Sequence, residues 1–494
     1  MLCSDLALFP ASVGSVEALP VYGHLIANRW VKGDRPPLPV TAPATRERFA
    51  WLARGGQRDI DAAVAAARAS LDGEWGRTTA ADRGRLLLRF AALVLANTER
   101  LAWIEAHDTG KPISQARADM RAVARYFEFY GGAADKVHGE VIPYLNDYNV
   151  TVVREPLGVT AHITPWNYPA QMFGRTLAPA LAMGNATVLK PAEEACLVCL
   201  ELGQLAVEAG FPAGSLNIVT GLGEEAGAAL SKHPGINFIS FTGSPEVGRL
   251  VQEAAALHHV PVVLELGGKS PQLVFADADL DAAAATVCKA ITQNTGQSCS
   301  AGSRVLVERP IFGHFMGLVA QKFRELRIGT PEDDADLGPV INETQQRRIL
   351  DFIENARRDG VPVLAEVRPA ESLAGYFVPP TVFGPVPADN PIVCREIFGP
   401  VLAAQIFDTE DEAVALANGT EFGLVAGVWT RDGARQQRLA KRIVSGQVFV
   451  NCYGAGGGVE LPFGGTKRSG HGREKGLMAL DEVSTTKTIV NYYG

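Results

Sequence analysis

Cysteine is scarce in this chain: seven residues among 494, and an odd number. Such a count is unlike the disulfide framework of small secreted domains and leaves most thiols reduced. Long apolar runs are missing too. None approaches the ~18 residues that a bilayer crossing needs, and the N-terminal segment carries Asp5 where a secretory signal has positive charge. A cytoplasmic protein without a membrane partner is therefore expected. Basic blocks are absent, and 46 Lys and Arg against 54 Asp and Glu give a formal charge of -8, which argues against a nucleic-acid partner. There is no internal repeat or low-complexity tract. Cys196 and Cys199 form a CxxC, but no second pair or histidine cluster accompanies it. No metal site is expected, and both are read as small apolar residues on a helix. A triphosphate-binding loop is missing as well. VVLELGGKSP, residues 262–271, ends in Gly-Lys-Ser, yet the first glycine that such a loop requires is replaced by Val263. What the stretch does hold is a carboxylate, Glu265, on an apolar strand that runs into two glycines; Lys269 beside it reads as a solvated or strand-end lysine.

What is present points to an α/β protein. A length of 494 residues and a hydrophobic content of 47% allow two or three domains with sizeable cores. Residues 1–20 show neither helical nor strand period and read as an N-terminal arm, and LIANRWV reads as a first strand. Helical spacing dominates from Asp59 to about Ala134, including GRLLLRFAALVLAN. Short apolar strands then alternate with helices: VTAHITP, NATVLKP, SLNIVTG, NFISFTG and VPVVLELGG. Strands joined by helical crossovers predict a parallel, doubly wound sheet. A second such region spans about 271–450, with SRVLVE, PVLAE, PVLAAQIF, LVAGVWT and QVFVN as strands. NVTVVRE near residue 150 and TTKTIVNYY at the end stand outside both regions, so they should pair with each other or with a partner chain.

Three stretches carry chemistry. QNTGQSCSAGSR, residues 293–304, sets Cys299 among small and polar residues between an Ala-rich helix and a strand. Small neighbours leave room for a ligand, and backbone N–H groups can stabilise a thiolate or an oxyanion; taken alone, though, a cysteine is more often structural. In TPWNYP, Asn167 lies on a turn stiffened by Pro165 and Pro169, either as a fixed oxyanion donor or as a helix-capping residue. Glu265 is either structurally paired or a general base at the carboxyl end of a strand, where open α/β sheets place their chemistry. Together, a nucleophile, a carbonyl-polarising amide and a carboxylate base form a coherent set for acyl chemistry.

QNTGQSCSAGSR, TPWNYP, VLELGGKSP, FTGSPEVG and EIFGPV, in this order over roughly residues 24–494, resemble the NAD(P)-dependent aldehyde dehydrogenase superfamily. The resemblance implies two doubly wound α/β domains, one Rossmann-like for the cofactor and one catalytic, plus a small β oligomerisation arm. It places the cofactor domain at 21–136 and 155–266, the catalytic domain at 267–447, and the oligomerisation strands at 137–154 and 478–494. Residues 448–477 form a substrate-pocket loop that returns to the cofactor domain. Cys299 is implied as nucleophile, Glu265 as general base, and Asn167 with the Cys299 N–H as oxyanion hole. The expected reaction is oxidation of an aldehyde to a carboxylic acid by way of a Cys299 thiohemiacetal and thioester. A CoA-acylating enzyme and an inactive crystallin-like homologue are the competing readings. A homodimer or homotetramer is implied.

For the cofactor, GLGEEAG (221–227) departs from a standard dinucleotide turn, and Thr242, Gly243 and Ser244 open a helix whose N-terminus could hold a pyrophosphate. The resemblance adds Ile163, Thr164, Trp166, Gly223, Gly227, Val247 and Leu266 to the cofactor site, sets Lys190 and Glu193 on the adenosine ribose, and gives the nicotinamide ribose and ring to Glu396 and Phe398. Glu193 can accept hydrogen bonds from both ribose hydroxyls and would repel a 2′-phosphate, so NAD is the expected cofactor. For the substrate, Arg175 resembles the arginine with which semialdehyde enzymes grip a far carboxylate. A second arginine typical of those enzymes is replaced by Gln293, and aromatic-aldehyde members also carry an arginine at this place, so both substrate classes stay open. Tyr168, Ser298 and Tyr453 complete the expected pocket, and four glycines between Tyr453 and Val459 suggest a pliable wall. TAPATRERFAWLARGG replaces the family's usual glycine-bearing turn after the first strand.

Overall fold

A computed structural model describes residues 19–454 and 458–494; most of the N-terminal arm and the middle of the glycine-rich wall lie outside them. Five parallel strands form the heart of the first large sheet, ordered Val262–Glu265, Phe238–Thr242, Val159–Thr164, Ala186–Pro191, Leu216–Ile218. The chain therefore starts in the middle, winds outward through 186 and 216, then returns to the other side of its starting strand at 238. Such a reversal opens a crevice beyond the carboxyl ends of the two strands that flank it. Those ends are Thr164 and Thr242. All five strands are buried along their whole length, as expected of apolar runs covered by helices on both faces.

The antiparallel edges were less visible in the sequence. LIANRWV is not one strand but a hairpin, His24–Ile26 with Arg29–Val31, turning on Ala27 and Asn28 at φ 49° and 59°. A two-residue turn with both centres left-handed matches the twist of the strands it joins; alanine in its first position hid the signal. At the opposite edge Gly470–His471 pairs with Leu264 and Glu265.

The second sheet has Pro271–Val274 at its switch point, flanked by Arg304–Glu308, Val401–Phe407 and Thr381–Phe383 on one side and Val425–Trp429 and Gln447–Val450 on the other, all parallel, with Val363–Glu366 antiparallel at the edge. Pro271–Val274 and Thr381–Phe383 were not foreseen, because each is too short to show a period of its own. A third sheet joins Ser484–Tyr492 to Tyr148–Pro156 in unbroken antiparallel register, with Glu140–Ile142 beyond it. The two strands that stood apart in the sequence thus pair with each other. Among the described residues, no helix is long and apolar enough to cross a membrane.

Candidate active site

Glu265 ends its strand at the crevice. Its backbone carbonyl accepts from the Gly243 N–H at 3.0 Å, while Leu266 N–H donates to Ser469 O at 3.0 Å, so the two glycine-bearing turns fix where the carboxylate sits. The side chain is 1% exposed, and neither carboxylate oxygen accepts a hydrogen bond. Burial pushes its pKa well above the ordinary carboxylate value, opposed chiefly by the charge of Arg175.

Cys299 follows the helix Leu280–Thr292 and a turn in which Asn294, Thr295 and Gly296 are all left-handed, at φ 48°, 56° and 72°. Each non-glycine residue in that region costs on the order of 1–2 kcal/mol, so the turn persists only because its surroundings hold it. Thr295 Oγ1 donates to Gly338 O at 2.9 Å, and Gln297 Oε1 accepts from Ile341 N at 2.9 Å. Gly296 lies against the Gly399 backbone, where a Cβ would come within 2.3 Å, and a Cβ on Gly268 would sit 2.2 Å from the Cys299 carbonyl oxygen. The Cys299 loop therefore leans on both the EIFGPV segment and the turn after Glu265. Cys299 is half-buried and packs against the apolar cluster of Leu424, Val425 and Phe463, which Phe449 and Tyr453 also flank. Burial pushes its pKa up to about 12, with Arg175 the largest opposing influence and Glu396 and Glu265 adding to the rise.

Asn167, 6% exposed, donates from Nδ2 to Gln297 O at 2.9 Å, so the amide lies against the chain two residues before Cys299. Tyr168 is half-buried beside it with its ring face 4.5 Å from the Lys111 ammonium, which is itself paired with Glu105 and Asp119 at 2.7 and 2.5 Å. Tyr453 donates from its hydroxyl to Ser300 O at 2.7 Å, Ser298 pairs with the Ser300 hydroxyl at 3.1 Å, and Gln293 is exposed at the end of its helix.

Arg175, open between a carboxylate clamp and an aromatic-aldehyde site in the sequence, lies against the protein's own carboxylates. It is 4% exposed, with Nη2 3.6 Å from Glu265 Oε2, Nε in an ion pair with Glu474 Oε2, and its guanidinium 4.3 Å from the centre of the Phe463 ring. These are charge contacts whose N–H groups are not aligned as hydrogen bonds. The cation is thus spent on two internal carboxylates, and its helix, Pro169–Ala182, points it into the protein. Glu474 also accepts from Ser240 Oγ at 2.9 Å. Sequence reasoning missed Glu474 and its neighbour Lys475, a buried lysine whose pKa falls to about 7 through burial and the nearby Arg175 charge. The signal was available: Arg473-Glu474-Lys475 is a run of three charges flanked by glycines, which an exposed loop does not need. Lys269 is not solvated but lies just before the strand Pro271–Val274: it is 2% exposed, its Nζ has no hydrogen-bond partner, and burial lowers its pKa to about 7.

The crevice suits a dinucleotide. Buried hydroxyls of Thr164 and Thr242 at the two strand ends lack partners, and Ser244 caps the helix Pro245–Ala256 through Oγ, leaving a helix N-terminus facing the opening. Ile163 is buried, Leu266 packs against Gly248, and Val247 is exposed on the first turn. Lys190 Nζ lies 2.7 Å from Glu193 Oε2, and Gly223 N donates weakly to Glu193 Oε1 at 3.4 Å. The Gly223–Gly227 stretch is a single π-helical turn rather than a glycine loop, and a Cβ on either Gly223 or Gly227 would meet open space. Glu396 accepts from Gly268 N at 2.8 Å, and burial raises its pKa to about 7. Trp166 and Phe398 meet edge to face with centroids 5.4 Å apart.

A crevice at the switch point of one sheet, with a cysteine brought to it from the neighbouring sheet, is the arrangement of a dinucleotide-binding α/β protein with a thiol at its site. Comparison narrows the class. Residues 30–489 match the Aldehyde dehydrogenase family, to which the chain belongs. It is 41% identical over 494 residues to human retinal dehydrogenase 2, covering 99% of this chain and 95% of that protein. A putative aldehyde dehydrogenase from Burkholderia cenocepacia superposes with a TM-score of 0.95 at 57% identity, covering 96% of this chain and 100% of that one. The NAD+ complex of an aldehyde dehydrogenase from Bacillus cereus superposes with a TM-score of 0.93 at 38% identity, covering 96% and 97%. The protein is an aldehyde dehydrogenase with the fold of that family, and solved neighbours of this fold are NAD+ complexes.

Proposed function

We propose that the protein oxidises an aldehyde to a free carboxylic acid through covalent attachment at Cys299, with Glu265 activating the water that completes the cycle. The Cys299 thiol first gives up its proton to solvent; the thiolate adds to the carbonyl carbon, and the oxygen takes up its negative charge against the Asn167 amide and the Cys299 N–H. NAD, when bound, supplies the acceptor for the hydride that leaves this carbon. The carbonyl re-forms as a thioester. Glu265 then accepts a proton from water as its oxygen attacks the acyl carbon, and the thiolate departs. The observation that carries this reading is the state of Glu265: both oxygens are buried without a hydrogen bond and lie in one charge-coupled group with the Cys299 thiol. Such a base also speaks against CoA as the acyl acceptor, since water already has its activator. The decisive experiment is replacement of Cys299 by Ala, which should abolish aldehyde-dependent NADH formation; retention of the wild-type rate would exclude this mechanism.

The substrate we infer is an uncharged aldehyde, aromatic or otherwise apolar. Cys299 packs against an apolar cluster of Leu424, Val425 and Phe463 that Phe449 and Tyr453 also flank, and Arg175, the cation that would have read a carboxylate, is engaged by Glu265 and Glu474. The human relative is named for retinal, whose chain has no carboxylate to grip. Among benzaldehyde, hexanal, an aminoaldehyde and succinate semialdehyde, kcat/KM should be highest for one of the first two and lowest for the last. Assembly as a homodimer or homotetramer would cover Val141, Tyr492 and Tyr493, which are 74%, 65% and 70% exposed on and just beyond the third sheet; light scattering in solution reads this directly.

A further inference from the structure

The turn before Cys299 contains an amide whose connections the reaction above does not use. Asn294 is 2% exposed. Its Nδ2 donates to the backbone carbonyl of Asn167 at 2.9 Å and to that of Gln297 at 3.2 Å. The Gln297 carbonyl is the same oxygen that receives the Asn167 side-chain amide at 2.9 Å. Gln297 returns a bond from Nε2 to Asn294 O at 3.1 Å, and Asn294 N donates to Gln115 Oε1 at 3.0 Å. One primary amide thus joins the segments that carry Asn167 and Cys299: it fixes the main chain under Asn167 and the acceptor of the Asn167 side-chain amide.

A capping asparagine in a left-handed turn would satisfy its own loop, and that ordinary role accounts for the φ of 48°. It does not account for a bond to residue 167, which lies 127 positions away on the other sheet's turn. We infer that Asn294 is a positioning residue for the oxyanion donor. By anchoring Gln297 O, it occupies one hydrogen of the Asn167 amide in a fixed direction, so that the second hydrogen is presented to the developing oxyanion. A donor that must reorient during the reaction contributes far less than one already in place, and displacement by about 1 Å can cost about a hundredfold in rate.

The inference rests on Asn167 being the oxyanion donor, and a double-mutant cycle separates the two claims. Glycine adopts a positive φ freely, so Asn294→Gly removes the bridge and keeps the turn. It should lower kcat/KM for aldehyde tenfold or more, leaving the KM for NAD and the rate of Cys299 alkylation by iodoacetamide unchanged. Asn167→Ala alone should cost about a hundredfold. In the Asn167→Ala background, adding Asn294→Gly should cost less than twofold, because there is no amide left to aim. If the two costs multiply, Asn294 does not act through Asn167 and the inference fails while the oxyanion assignment stands. If Asn167→Ala turns over at the wild-type rate, the oxyanion assignment fails and takes the inference with it. Asn294→Asp covers the case in which the glycine variant does not fold. Facing two carbonyls, its buried carboxyl can donate only when protonated, so activity relative to wild type should rise as pH falls; a ratio independent of pH overturns the inference.

Discussion

Replacing Arg175 by methionine keeps the length and apolar bulk of the side chain and deletes its charge. In the structure that charge stands 3.6 Å from Glu265 and in contact with Glu474. At an effective dielectric of about 20, two unit charges at such a distance attract by about 4 kcal/mol, close to a thousandfold in an equilibrium constant. Without the cation, two buried carboxylates face each other, and the proton-bearing form of Glu265, already favoured by burial, gains further. A protonated Glu265 cannot take a proton from water. Turnover limited by thioester hydrolysis should therefore fall at least tenfold at pH 7, and the deficit should shrink as pH rises, because alkali restores the carboxylate. Hydride transfer does not need that base. Stopped-flow absorbance at 340 nm should show an NADH burst of full amplitude in Arg175→Met, slower in onset because the Cys299 thiol also loses its main acidifying neighbour, followed by a depressed steady state. Arg175→Lys, which keeps a cation, should recover part of the loss. The contrasting hypothesis makes a different forecast: a clamp for a substrate carboxylate would raise KM for succinate semialdehyde and spare benzaldehyde. That pattern, with an unshifted pH profile for the neutral aldehyde, would falsify the counter-ion account.

Other consequences are simpler to read. Iodoacetamide alkylation of Cys299 in the free enzyme should accelerate continuously from pH 8 to 10, since the thiol is pushed up to about 12; a plateau near pH 8 would contradict the environment described. Glu193→Ser should narrow the gap in kcat/KM between NAD and NADP by tenfold or more by removing the charge that opposes a 2′-phosphate, and an unchanged ratio would remove Glu193 from cofactor choice. Lys269→Met should raise the melting temperature at pH 7. The folded lysine has its pKa lowered to about 7 from 10.5, so folding carries a penalty that is complete below pH 7 and fades as pH rises toward 10.5. The gain on substitution, on the order of a few kcal/mol, should fade over the same range, and a destabilised variant at pH 7 would show that Lys269 has a partner when NAD or substrate is absent.

The parts of the structure legible in the sequence are those whose physics is local. Buried parallel strands announce themselves as apolar runs between helices, which is why the five parallel strands of the first sheet could be read, and QNTGQSCSAGSR and TPWNYP carry their chemistry in residue types that core packing does not need. What stayed hidden depends on partners distant along the chain. The hairpin at Ala27–Asn28 shows no glycine, and Lys269 looks like a surface residue until the Arg304 strand is folded beside it. Arg175 is the sharpest case. On its helix an arginine eight residues past Asn167 has one chemical meaning, an anion nearby, and the sequence does not say whose. Only when Gly470–His471 pairs against Glu265 does the chain that follows deliver Glu474 to the same spot, and the anion proves to be the protein's own. A residue that reads as a specificity determinant in sequence thus sits among the site's own carboxylates in space: any change that frees Arg175 to read a carboxylate also strips Glu265 of the cation that most opposes the rise in its pKa.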